Sequence, residues 1–260
     1  MRWFTLTKIY LVGIFFINPC QGYSQNFLTD TSGKISSFQR AVNLYHRFLS
    51  PETGLYDGSE YAYNAYYPFT INEGHPFFQS KNFDTGSVLY NNVLYEKVPL
   101  LFDIIKEEIL IHDPSRIYII RLNNESIRWF TIWGHTFIRL KMDSNNNTLL
   151  HTGFYDVLYK GNTVLYKKVS KIFKENSASS TGINKYVVEL DEYFIKKNNQ
   201  YYKVKNKKSL LLIVNDRKKE IVKFIKKNKL NIRKNKDDAL TKILAYYDAI
   251  NMNNNTKTIN

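Results

Sequence analysis

Cysteine is almost absent from this 260-residue chain; Cys20 is the only one, and it lies in the N-terminal region. A single thiol excludes an intrachain disulfide framework and a cysteine metal cluster. Long apolar runs are missing as well. The longest near the start, Ile9–Ile17 (IYLVGIFFI), is nine residues, far short of the about twenty that a helix needs to cross a hydrocarbon core. The five histidines, His46, His75, His112, His135 and His151, show no HxH, HxxxH or HExxH spacing, so no histidine metal motif is present. No G-x-S-x-G elbow, phosphate-cradling glycine loop or dinucleotide fingerprint appears either, and with them go the most recognisable routes to hydrolysis, nucleotide binding and hydride transfer.

What the N-terminus does contain is a basic start (Arg2, Lys8), that short apolar run and a polar, turn-prone NPCQGYSQ. This order is the pattern of a secretory signal, with cleavage expected after Gly22 or Ser24. Export to the periplasm or outer-membrane periphery, or secretion, is the expected location. Pro19 before Cys20 argues against lipidation, which wants a small residue there. Removing residues 1–24 leaves about 235 residues, enough for one or two domains, with no transmembrane segment expected and no thiol.

The net charge of +14 is confined to one region. Between Lys196 and Lys236 stand sixteen Lys and Arg against Asp216 and Glu220 alone, a local excess equal to the charge of the entire chain. A neutral body with a basic end sets up a directed field toward an anionic partner. Lysine-rich faces are also commonly just solvated, and the abundance of Lys, Asn, Ile, Tyr and Phe fits A/T-rich coding. For an exported protein the expected partner is an anionic envelope surface, such as lipid headgroups or lipopolysaccharide, or an envelope protein, rather than nucleic acid. Lys218, Lys219, Lys226 and Lys227 are the candidate contacts.

Patterning predicts an α+β fold, mainly antiparallel sheet (meander, sandwich or partly closed barrel) followed by a small helical section. A short helix is expected from Ser36 to Leu49, ended by Pro51. Leu55–Phe78, rich in Tyr, Gly and Pro, reads as irregular and packed. Strand-sized runs then follow from Gly86 to Leu190, broken by turn clusters. Asn91-Asn92 and Asn198-Asn199 mark tight hairpins, and Asp143–Asn147 and Gly161-Asn162 further turns. Pro99 marks an edge or a bend. Ile127–Lys141 reads as one run that places Trp129, Thr131 and Trp133 on one face. Asn176–Asn184 reads as a flexible hinge. Residues 1–24 are thus the signal, 25–192 the N-terminal helix and β-rich body, 193–250 a basic hairpin plus helices, and 251–260 a disordered tail. In the helices, Ser209 caps a first turn and Ile221, Phe224 and Ile225 share a face of the second. Asn235 caps a third with a stripe of Leu240, Ile243, Leu244 and Tyr247.

The phrases at 86–103 (GSVLYNNVLYEKVPLLFD), 153–171 (GFYDVLYKGNTVLYKKVSK) and 200–248 (QYYKVKNKKSLLLIV through LAYYD) resemble a family of exported Gram-negative envelope proteins that has no assigned activity. The resemblance implies export and a β-rich body followed by helices, and it transfers no site residue. No catalytic residue, metal ligand or cofactor is assigned. The leading functional expectation is a non-catalytic binding or structural protein whose basic C-terminal section faces an anionic surface or partner. One alternative is an envelope hydrolase acting on glycan or lipid through His135, His151 or Asp103, which would have to meet in one pocket. Another is a carrier of a small apolar ligand inside an aromatic sheet.

Overall fold

The computed structural model describes residues 53–142, 149–179 and 182–257, all within the compact unit Asn43–Asn260. The expected signal, the helix at 36–49 and the turn at 143–147 lie outside the described residues. Thirteen strands and four helices follow in chain order. They are β1 (Ser59–Glu60), α1 (Tyr63–Tyr66), β2 (Asp84–Tyr90), β3 (Val93–Asp103), β4 (Glu108–His112) and β5 (Ile119–Arg121), then β6 (Ile127–Ile132), β7 (His135–Leu140), β8 (Gly153–Lys160) and β9 (Val164–Lys168). After these come β10 (Lys171–Ser179), β11 (Gly182–Glu189), β12 (Glu192–Lys197), β13 (Gln200–Lys203), α2 (Lys207–Ile213), α3 (Lys218–Lys227) and α4 (Lys236–Lys257). Eleven strands form one open sheet in the order β1-β5-β4-β3-β2-β6-β7-β8-β9-β12-β13, every pairing antiparallel. The fold is α+β, as the sequence pattern predicts.

Turn chemistry sets much of this register. Asn91 and Asn92 sit at φ 50° and 62°, and Asn198 and Asn199 at 50° and 59°, the left-handed pair that a two-residue hairpin with matching twist requires. Pro99 lies where β3 pairs only with β2, since β4 joins β3 at Leu101–Asp103; the proline therefore faces an open edge. One expectation is corrected here. Ile127–Lys141 is a hairpin, because Trp133 (φ 52°) and Gly134 (φ 75°) form its turn. Asp84 Oδ2 accepts the Trp133 N–H at 2.6 Å and holds a conformation that tryptophan alone does not signal. Trp133 therefore shares no strand face with Trp129.

The hinge expectation at Asn176–Asn184 is corrected as well. Most of it forms the ends of the β10–β11 hairpin, with Asn176 opposite Asn184 and Ser179 opposite Gly182. Its ladder extends the pairing begun at Lys171↔Glu189, and a polar composition reports exposure without forbidding backbone pairing. Asn72 and Glu73 tie this hairpin to the body through Asn72 N–H to Lys185 O and Val187 N–H to Glu73 O.

The sheet coils on itself. Phe102 of β3 touches Phe137 and Phe154, three and four strands along the order, at centroid separations of 5.3 and 6.0 Å. Right-handed twist, increased by the bulge at Lys97 (φ 56°), brings these distant strands together. Phe130 and Phe154 complete a packed aromatic interior, both buried. A second core lies between β9, β12 and the helices, where Leu165 and Ile195 meet Leu240, Ile243, Leu244 and Tyr247. The stripe expected on the last helix is thus its buried face.

Local capping places the helices. Asn206, not Ser209, is the N-cap of α2: its Oδ1 accepts from Ser209 N–H while Ser209 Oγ accepts from Asn206 N–H, a reciprocal box. α3 is closed just beyond its end by Lys229, whose φ is 52°, with Lys229 N–H to Lys226 O and Leu230 N–H to Ile225 O. This is a Schellman closure with a lysine in the left-handed position that glycine usually takes. α4 runs to Lys257, so the tail expected from 251 is helical over seven of its residues. Extending a helix already anchored by packing costs little beside nucleating one. Buried Asp248 on α4 accepts from Tyr159 Oη (3.0 Å) and from Thr163 N–H (2.9 Å). A Cβ at Gly161 would crowd Tyr159 Oη and stand 2.5 Å from Asp248 Oδ2, so any larger residue there would have to displace this hydrogen-bonded pair.

Candidate anion-binding cleft

The start of α4 is held to the sheet by a change in one cross-strand row. Val88, Phe130, Phe137, Asp156, Lys167 and Tyr193 stand side by side across β2, β6, β7, β8, β9 and β12. The row is apolar for three strands and then turns polar. Lys167 Nζ pairs with Asp191 at 2.8 Å and with Asp237 of α4 at 3.0 Å, and Tyr193 Oη donates to Asp237. Burial by itself lowers the Lys167 pKa, but the two carboxylates reverse this and hold it above the ordinary value. A carboxylate in the first turn of α4 also suits the helix dipole.

Beside this anchor, the segment entering α2, the last turn of α3 and the connection to α4 enclose a cleft of about 940 Å3. Seven cations line it: Lys205, Lys207, Lys208, Lys226, Lys229, Arg233 and Lys236. Ile225, Leu230 and Ile232 supply apolar wall, with Asn206 and Asn231 as the uncharged polar members. No carboxylate and no aromatic ring is among these lining residues. Asn231 Oδ1 accepts from the backbone N–H groups of Arg233 and Lys234 at 3.0 and 3.1 Å, which fixes the connecting loop. Lys236 lies 4.1 Å above the Tyr193 ring. Its ammonium is lowered from the ordinary lysine pKa chiefly by burial, against the pull of Asp191 and Asp237.

The acids of this section neutralise lysines elsewhere. Asp216 pairs with Lys197 at 2.9 Å, Glu192 with Lys203, and Asp238 with Lys242 at 2.9 Å. Among the described residues, Lys205, Lys207, Lys208, Lys226, Lys229 and Arg233 form no ion pair, and neither do Lys196, Lys218, Lys219, Lys223, Lys227 and Lys234 outside the cleft; the cleft differs in that its cations share one concave lining. Of the four lysines singled out from sequence, all are exposed, and Lys226 lines the cleft. Lys218, Lys219 and Lys227 lie on α3 outside its lining. The remaining cleft cations escaped sequence reasoning because residues 205–208 meet 226–236 only through the packing of α2 against α3. The sole local signal was the apolar Leu230 and Ile232 interrupting a lysine-rich stretch.

His135, His151 and Asp103 do not share a pocket. His135 Nδ1 lies 2.6 Å from Asp156 Oδ2, and its Nε2 is 3.0 Å from Gln79 Nε2. The bond to Asp156 raises the His135 pKa above its ordinary value, outweighing the opposing effect of burial. His135 also packs on Phe78 at 5.1 Å, on the face of the sheet that carries Phe137. Asp103 projects from the opposite face to its neighbour Phe102. There its Oδ2 accepts from Tyr61 and Tyr67 at 2.6 and 2.7 Å, and its Oδ1 from the Lys106 N–H. Burial, and next the bond to Asp103, pushes both phenols well above the usual tyrosine range. The backbone around His151 is engaged with Tyr155 Oη. Among the described residues no group of three His, Cys, Asp or Glu is arranged to hold a metal ion, and no helix is long and apolar enough to cross a membrane. The concave side of the sheet, where a carrier would hold its ligand, is filled by Phe102, Phe130, Phe137 and Phe154.

Comparison with family models, with curated proteins and with solved structures returns no match.

Proposed function

We propose that this is an exported envelope protein that binds an anionic partner through the basic cleft, without carrying out chemistry there. One observation carries the reading: seven cations converge on a cleft of about 940 Å3 that contains no acid. Such a site concentrates positive potential in a concave, partly apolar wall and attracts anions from a distance. The lining holds no histidine, carboxylate or hydroxyl; its charged groups are lysines and one arginine, which suits holding an anion. Location at the cell envelope follows from the N-terminal signal pattern, and the family resemblance in the β and helical segments agrees with it.

Sedimentation with vesicles of anionic or zwitterionic lipid tests the proposal. Wild type should pellet with the anionic vesicles at low salt and be released as salt rises. Two triple variants of equal charge separate a cleft from a diffuse field. Lys226→Gln, Lys229→Gln and Arg233→Gln together should weaken binding about a hundredfold, at roughly 1 kcal/mol per cation near an anionic surface. Lys218→Gln, Lys219→Gln and Lys227→Gln together should cost far less. Equal losses would refute a localised site, and indifference of wild type to anionic vesicles would refute the function.

A further inference from the structure

Charge alone would serve any polyanion, but the wall of this cleft is not purely charged. Leu230 is half-buried and offers apolar surface to the cleft, while Ile225 and Ile232 are buried in the core behind it and show only their edges. The Schellman closure places Leu230 beside Ile225 and turns Lys229 outward at the same point. Exposed Lys226, Lys229 and Arg233 thus line the same cleft as partly exposed Leu230. No aromatic side chain lines the cleft, so it lacks the platforms on which bases of a nucleic acid stack or sugar rings lie. A ligand that complements both parts has an anionic head and an aliphatic portion.

We propose that the cleft takes one molecule of a phosphate-bearing amphiphile, the cations holding the phosphate and Leu230, backed by the edges of Ile225 and Ile232, receiving the start of its aliphatic chain. This rests on the anionic-ligand reading above and narrows it to a substrate class. The lipid headgroup and a free phosphate share the same head chemistry, and the two are separated by the chain.

Calorimetric titration of the full chain with a soluble series provides the test: inorganic phosphate, glycerophosphoglycerol, and phosphatidylglycerols of increasing short-chain length kept below their micelle concentrations. A short single-stranded oligonucleotide is the polyanion arm. Affinity should rise about fourfold for each methylene that enters the cleft, and Leu230→Asn should flatten that rise. Headgroup and lipid binding equally would overturn the amphiphile proposal and leave anion binding standing. An oligonucleotide binding more tightly than every lipid would overturn it in favour of a polyanion. Failure of all probes to bind at low salt would end both readings. Because the chain-length series is read on wild type, the test does not depend on any variant folding.

Discussion

Lys229 sits at two roles that a single substitution pulls apart. It occupies the left-handed position after α3 at φ 52°, and it lines the cleft. A left-handed conformation costs an L-residue roughly 1–2 kcal/mol, whereas glycine adopts it freely but loses about 0.5–1 kcal/mol in unfolded-state entropy. The difference predicts that Lys229→Gly stabilises the protein by about 0.5–1 kcal/mol. Over a domain of this size that is an upward shift of about 1–4 °C in Tm. In urea, the midpoint should rise while the slope stays constant. The same change removes one of seven cleft cations and should weaken binding to anionic vesicles about fivefold. Lys229→Asn should follow it, since asparagine tolerates the backbone and lacks the charge. Stability and binding therefore move in opposite directions. A destabilised Lys229→Gly would refute the helix-closure argument. A stabilised variant with unaltered binding would refute the part of Lys229 in the cleft.

Two further outcomes follow from groups that sequence reading had placed in a possible active site. Asp103→Ala strands the buried Tyr61 and Tyr67 hydroxyls and should cost about 3 kcal/mol of stability in urea melts, with vesicle binding of the folded protein unchanged; a neutral effect on stability would overturn the structural role. His135 has its folded pKa raised by Asp156. Its contribution is therefore complete below the unfolded value near 6.5 and disappears as pH rises through the folded pKa. The stability gap between wild type and His135→Gln should accordingly be larger at pH 5.5 than at pH 8.5, and a gap independent of pH would show that the ion pair adds nothing.

The carboxylate and the histidine show what residue type leaves out about a side chain's surroundings. Asp103 ends a strand, and the partners that make it structural, Tyr61 and Tyr67, come from an irregular segment about forty residues upstream whose path no periodicity encodes. For His135, the register brings Asp156 opposite Phe137 and within reach of its ring, a partner twenty-one residues away that no spacing in the sequence marks. Trp133 misled for a local reason. It stands in a turn beside Gly134, where φ is positive for both, although tryptophan itself favours strands.

Elements whose cause is local are legible in the chain order: antiparallel strands broken at Asn91-Asn92 and Asn198-Asn199, the buried stripe from Leu240 to Tyr247, and the stretch of 196–236 that holds all the excess charge. These follow from backbone preference and side-chain period, which act within a few residues. Tertiary structure alone decided that β3 curls to meet β8, that Asp216, Glu192 and Asp238 neutralise lysines away from the cleft, and that residues 205–208 face 226–236 across it. Those outcomes depend on sheet twist and helix packing, which bring together residues that the chain order keeps apart. Total charge is therefore a property of composition, whereas an anion site requires those charges to converge.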